Sequence, residues 1–277
     1  MEVVEFVIKY KSHNDEFHFY PTGDIHFGAI ECSENDIARH VDKCLKDPVG
    51  YIIGKGDYAD CITKNDPRFD TRNLADWVTK DNIVESQREK IDNLFKPVAQ
   101  EQKLIVLLTG NHEEEIHLRH DNDLVRNVCK DLNVPYGGYQ CFVVLKFEQK
   151  GNEGHHDTFI WHAWHGDGAA QSEGGRVMRL MRLVNDIEAD VYTMGHIHGA
   201  ISTYTPDRLR YNYRSHKIES VKVIAALSGS WIKGFMQSTQ KRPLNPYYGE
   251  KKGYKPARIG APIITIRPYF REMEIIV

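Results

Sequence analysis

The sequence predicts an α/β sandwich built on two β-sheets. Through about residue 194, short apolar runs of strand length alternate with amphipathic helical segments. After about residue 200 the helical periodicity fades and several β-like runs follow one another, as in an antiparallel tail. The chain of 277 residues is 41% hydrophobic and 27% charged, long enough to bury a full core and too apolar for intrinsic disorder. At about 150 residues per domain, one domain spanning 1–277 and carrying a loop insertion is expected.

Residues 17–22 (FHFYPT) and 51–54 (YIIG) read as strands. Between them Ser33 and Asp36 resemble a capping box, opening a helix with Ile37, Val41 and Leu45 on one face that Asp47-Pro48 ends. A polar stretch over 60–82 precedes a helix at about 83–96, with Ile91, Leu94 and Phe95 on its apolar side. KLIVLLT (103–109) is a continuous apolar run of the kind found in parallel strands buried on both faces. A helix near 121–132 uses Leu124, Val125, Val128 and Leu132. Strands at 142–147 and 158–164, a helix near 174–188 and a strand at 190–194 follow. In the tail, β-like runs occupy 200–205, 221–227, 262–267 and 273–277, and 231–258 is the most loop-like stretch.

Charge and cysteine usage narrow the function classes. Lys plus Arg total 36 against 39 Asp plus Glu, a net charge of -3, which excludes coating nucleic acid by bulk positive charge. Phosphate recognition must therefore be local. The five cysteines include no CxxC pair, which fits a reducing compartment. No signal-peptide-like apolar region opens the sequence and no run of 18 apolar residues occurs, so a cytoplasmic protein without a membrane partner is expected. Oligomeric state leaves no mark in the sequence.

Five polar clusters follow the β-like runs: GDIHFG (23–28), GKGDYAD (54–60), GNHEE (110–114), WHGDG (164–168) and GHIHG (195–199). Each lies just past the C-terminal end of an expected strand, the edge of an α/β sheet where ligands bind. Asp24 with His26, and His196 with His198, are i,i+2 pairs that project to one side of an extended segment. Asp57 and Asn111 add oxygen donors, and His165 adds an imidazole. That is more than one tetrahedral zinc uses, and it suits two metals sharing a carboxylate. Mixed nitrogen and oxygen ligation points to two divalent transition-metal ions, Mn2+ first, with Fe, Zn, Co or Ni as alternatives, rather than to a Mg-only site. Two such ions opposite Asp24 and Asp57 leave about two positive charges, suited to an anionic phosphate.

These motifs resemble those of the calcineurin-like metallophosphoesterase superfamily: D-x-H, G-D-x-x-D/N, G-N-H-E/D, H-G and G-H-x-H. All five occur in that order over residues 24–198, about two thirds of the chain. The resemblance implies a four-layer αββα sandwich with two mixed sheets. It further implies one metal on Asp24, His26 and His198, a second on Asn111, His165 and His196, and Asp57 bridging both. His112 would face the scissile group as a catalytic residue without ligating metal, Asp60 would support the chemistry through hydrogen bonds, and Glu113 would belong to the surrounding shell. The activity implied is hydrolysis of P–O bonds by a metal-bridging hydroxide. A phosphodiesterase or nuclease acting on nucleic acid or nucleotide diesters is favoured. A phosphomonoesterase, a nucleotide pyrophosphatase and, from another class, a non-catalytic scaffold on the same fold are the alternatives.

Other residues admit plainer readings. His162, three before His165, is the ligand if the motif register shifts. His155 and His156 read as exposed, and His117 and His120 as helix-surface residues, His117 being near enough to line the pocket. Lys55 reads as solvated. Arg176, Arg179 and Arg182 read as a solvated helix stripe, with Arg176 as a candidate substrate-phosphate contact. The 231–258 stretch holds seven basic residues, Lys251 and Lys252 among them, against the single Glu250. Its interleaved Trp231, Phe235, Tyr247, Tyr248 and Tyr254 suit a platform for single-stranded nucleic acid or a nucleotide base, or else pack on the core or a second subunit.

Overall fold

Alternation of burial dictates the first strand. In β1 (Glu2–Tyr10), Val4, Ile8 and Tyr10 are buried while Glu2, Glu5 and Lys9 face solvent, although no strand is expected there from the apolar runs. The computed structural model describes residues 1–151, 156–170, 172–198, 203–213, 215–235, 253 and 258–276. β2 (Phe17–Thr22) leads to α1 (Glu34–Lys46), which buries Ile37, Val41 and Cys44 and leaves Leu45 at the margin. The Ser33 hydroxyl donates to the Asp36 carboxylate and caps no backbone N–H, so the expected capping box does not form. β3 (Gly50–Gly54) and α2 (Ile83–Gln100) follow; α2 runs past its expected end, carrying Pro97 in its last turn at the loss of one i→i−4 hydrogen bond and burying Val98 there.

β4 (Leu104–Val106) precedes α3 (Asn111–His120) and α4 (Leu124–Leu132). Then come β5 (Gln140–Gln149), β6 (His156–Trp164), α5 (Glu173–Asp186) and β7 (Val191–Met194). Of the run expected at 200–205, Thr203–Tyr204 forms β8, and 200–202 lie outside the described residues. The run expected at 221–227 is split: Lys217–Lys222 is β10, paired in an exposed hairpin with β9 (Asp207–Asn212), and Ile224–Leu227 is the buried β11. β12 (Ile263–Arg267) and β13 (Glu272–Ile276) close the chain as an antiparallel pair.

Two mixed sheets result, with strand orders β13-β12-β2-β3-β4 and β1-β5-β6-β7-β11-β8. The core between them holds Phe19, Ile53, Ile105, Val143, Leu145, Trp161 and Ile264. A second core packs α1, α2 and α4 on the first sheet through Ile37, Val41, Ile91, Phe95, Val125 and Val128. A third packs α5 on the other sheet through Leu180, Leu183, Tyr192 and Leu227. The molecule is thus an α/β sandwich with helices outside both sheets. Among the described residues no helix is long and apolar enough to cross a membrane.

The topology positions the site. β2, β3 and β4 run parallel side by side in one sheet, and β6 and β7 run parallel in the other. Their C-terminal ends bring all five polar clusters to one rim of the sandwich.

Candidate metal centre

The loops after β2 and β3 are joined through their backbones. Asp24 N–H donates to the Gly56 carbonyl at 2.9 Å, Ile25 and His26 N–H to the Asp57 carbonyl at 2.7 and 3.0 Å, and Phe27 N–H to the Tyr58 carbonyl at 2.8 Å. This lattice holds Asp24, His26 and Asp57 at φ of 50°, 54° and 51°, and His196 on the opposite loop sits at φ 66°. The left-handed region is sparsely populated by residues other than glycine, and each such residue costs roughly 1–3 kcal/mol. Four of them among the expected ligands mark backbone bent to aim side chains.

Those side chains converge. Asp24, His26, Asp57 and His198 place one potential ligand atom each within 4.8 Å of the others, Asp57, His165 and His196 form a second such group, and His26, Asp60 and His112 a third. His26 Nε2 lies 2.8 Å from His198 Nε2, and His198 Nε2 lies 3.3 Å from Asp24 Oδ1. Asn111 Oδ1, at the first residue of α3, is 3.1 Å from His165 Nε2 and 2.7 Å from His196 Nδ1. Asp57 stands between the groups, its Oδ2 at 3.7 Å from His26 Nε2 and 3.4 Å from His165 Nε2. These carboxylates and imidazoles, buried except for the half-buried His196 and the exposed His198, form a candidate metal site, since lone pairs directed at shared points need a cation or protons between them. Gly110 makes the approach: a Cβ there would meet Asp57 Oδ1 at 2.1 Å.

Supporting contacts fix each donor. His165 Nδ1 is 2.7 Å from the Lys55 carbonyl; donating there leaves Nε2 as the ligating nitrogen. Asp24 accepts from His196 N–H at 2.9 Å, and Asp57 Oδ1 from His112 N–H at 3.0 Å. Glu113, buried, accepts from the backbone N–H groups of Asp57, Ala59 and Gly110 at 3.0, 2.9 and 2.9 Å, tying the second loop to the start of α3.

Charges follow from burial and neighbours. Burial by itself would raise the Asp57 carboxyl, but His165, His112 and His26 outweigh it and hold it well below the usual range. Burial opposes protonation of His165, yet Asp57 and Asp24 lift it to about 9. His112 is raised likewise: burial opposes, and Asp57 and Asp60 prevail. Burial, reinforced by Asp57, pushes Glu113 up to about 7. His26 and His196 are lowered, in each case chiefly by burial.

His112 stands beside the cluster, its ring 4.5 Å from that of His26 and nearly perpendicular to it. Its Nδ1 is 2.5 Å from the Asp60 carbonyl oxygen, so Asp60 engages it mainly through the backbone; the Asp60 carboxylate is 3.8 Å away. Donation from Nδ1 leaves Nε2 free of that contact.

The remaining expectations separate. His162 lies outside the cluster, fully buried between the rings of Phe142 and Tyr192, with neither ring nitrogen hydrogen-bonded among the described residues. Lys55 is not solvated: its side chain is fully buried, and Nζ donates to the Thr193 carbonyl at 2.6 Å across the sheets. Its ammonium thereby satisfies a carbonyl in β7. Arg176 is drawn to its own loop, Nε donating to the Ala170 carbonyl at 3.2 Å. Trp231 is core rather than a stacking platform, buried against the ring of His40. Lys251, Lys252, Tyr247, Tyr248, Tyr254 and His155 lie outside the described residues. Arg68, which nothing in the polar stretch 60–82 singles out, bears electrostatically on His112.

His162 yields a pH prediction. Burial, with Lys55 nearby, lowers it to about 4 from its ordinary 6.5. Between those values the unfolded chain binds a proton that the folded one refuses, so stability falls as pH drops, by about 3 kcal/mol in all. His162→Phe is expected to flatten the loss of urea-unfolding stability between pH 6.5 and 4; identical slopes in the two proteins would refute it.

Compared with protein-family models and with curated proteins, the chain gives no match.

Proposed function

We propose that this protein is a binuclear metal-dependent phosphoesterase of the calcineurin-like metallophosphoesterase superfamily, with the four-layer fold of that group, and that it acts as a phosphodiesterase on nucleic acid or nucleotide diesters. The observation that carries this reading is the sharing of Asp57 by two donor groups, with His112 alongside. Asp24, His26 and His198 would hold one ion, Asn111, His165 and His196 the other, and Asp57 both. Nitrogen and oxygen donors together suit Mn2+, with Fe, Zn, Co or Ni as alternatives. Such ions supply Lewis-acid charge for the phosphoryl oxygens and activate water at neutral pH.

The protein's own groups do the rest. Proton transfer falls to His112: Nδ1 is anchored on the Asp60 carbonyl, and Asp57 and Asp60 favour its protonated form, so Nε2 can deliver a proton to the departing oxygen. Glu113 and the joined loops keep the carboxylates from relaxing as substrate charge arrives. No serine or cysteine nucleophile is required.

The test is a matched comparison after stripping metal and restoring Mn2+. We expect kcat/KM on an aryl phosphodiester to exceed that on the corresponding monoester, with both activities abolished by chelation. A monoester preference would replace the diesterase reading by the phosphomonoesterase one. Chelator-resistant turnover, or none with two metals bound, would overturn the proposal.

A further inference from the structure

A pocket of about 440 Å³ opens beside the cluster, between the 66–68 loop and the outer face of α3, with Asn111 at its inner end. That volume is within the usual range for a small-molecule site. Asp66 and Arg68 line one wall and Glu114, Glu115 and Arg119 the other. Arg68 grips Asp66 with Nε at 3.0 Å and Nη2 at 2.8 Å, so its Nη1 hydrogens remain uncommitted among the described residues. Arg119 pairs with Glu115, while Glu114 makes no ion pair among the described residues.

The charge balance decides what fits. Three carboxylates against two guanidiniums leave one negative charge in excess. A second phosphate would meet Glu114 unneutralised, so the lining opposes a phosphate track. A neutral group that both donates and accepts hydrogen bonds is matched instead: Arg68 can donate to it and Glu114 can accept from it. Pro67 and the exposed side chain of Leu118 add apolar surface suited to the face of a flat heterocycle. We propose that this pocket receives the base of a nucleoside attached to the scissile phosphate, with Arg68 and Glu114 as its polar contacts. The proposal deepens the phosphoesterase reading above and rests on it for the placement of the phosphate.

Equilibrium binding separates the two ideas. The Mn2+-loaded protein and its Arg68→Ala and Glu114→Ala variants are titrated calorimetrically with the four ribonucleosides, ribose and inorganic phosphate, thermal midpoints serving as the check on folding. We expect at least one nucleoside to bind more tightly than ribose, each variant to weaken it about 10-fold, and phosphate affinity to hold within about 2-fold. Nucleoside affinity unchanged in both variants, ribose binding as tightly as every nucleoside, or a parallel loss of phosphate affinity would each overturn the proposal. Nucleoside binding that depends on Arg68, in a protein that hydrolyses no ester, would uphold the pocket while removing the phosphoesterase reading.

Discussion

His112→Ala is expected to lower kcat on a phosphodiester by about 10²–10⁴-fold while leaving the bound metal unchanged. The two readouts separate because His112 touches the cluster only at its edge. Its imidazole packs 4.5 Å from the His26 ring, and its one close side-chain hydrogen bond is to the Asp60 carbonyl rather than to Asn111 or either cluster carboxylate. Asp57 and Asp60 favour the protonated ring, so its loss should bite hardest on substrates with poor leaving groups, which need the proton most. An activated aryl ester should be affected least. Metal content measured by atomic emission beside steady-state kinetics checks this. Full activity in the variant would assign the proton transfer to another acid, and loss of metal would make His112 a ligand.

The second large effect is at Asp57. Asp57→Asn keeps the shape but removes the carboxylate charge common to both donor groups, and an amide oxygen is a poor replacement between two dications. Metal affinity should fall at least about 100-fold, with turnover falling below detection at metal concentrations that saturate the parent protein. The side chain is buried and surrounded by His26, His112 and His165, so the variant should also shift the titration of those rings. Two ions retained at parental affinity would show that Asp57 is not shared. Asp24→Asn is the control: it should weaken one ion and spare the other.

Much of this arrangement can be read from residue order. Runs such as 103–109 and 158–164 announce buried strands because 104–108 are all apolar and 159–164 all apolar or aromatic, and the clusters behind them carry their donors at fixed spacing. What stays hidden has identifiable causes. α3 buries only Glu113 and Ile116, so NHEEEIHLRH has no apolar stripe to reveal a helix. The β9–β10 hairpin exposes residues on both faces, Leu209 and Ile218 included, and shows no inside–outside alternation. Lys55 looks like any surface lysine until the second sheet supplies the Thr193 carbonyl. The positive φ of His26 and His196 is equally invisible, since histidine does not advertise that conformation as glycine would. Arg68 acquires meaning only when its loop folds beside α3.

The five clusters straddle both sheets, with Asp24 near one end of the sequence and His198 contributed by β7's following loop. On a ribosome the donors that follow β2 and β3 emerge long before their counterparts, and Asp24, His26 and Asp57 alone do not make up the full donor set. The centre therefore comes into being only when translation has passed residue 198 and β6 and β7 have docked. Convergence of the donor set is in this way a late event, although β11, β12 and β13 have still to join the two sheets when it becomes possible.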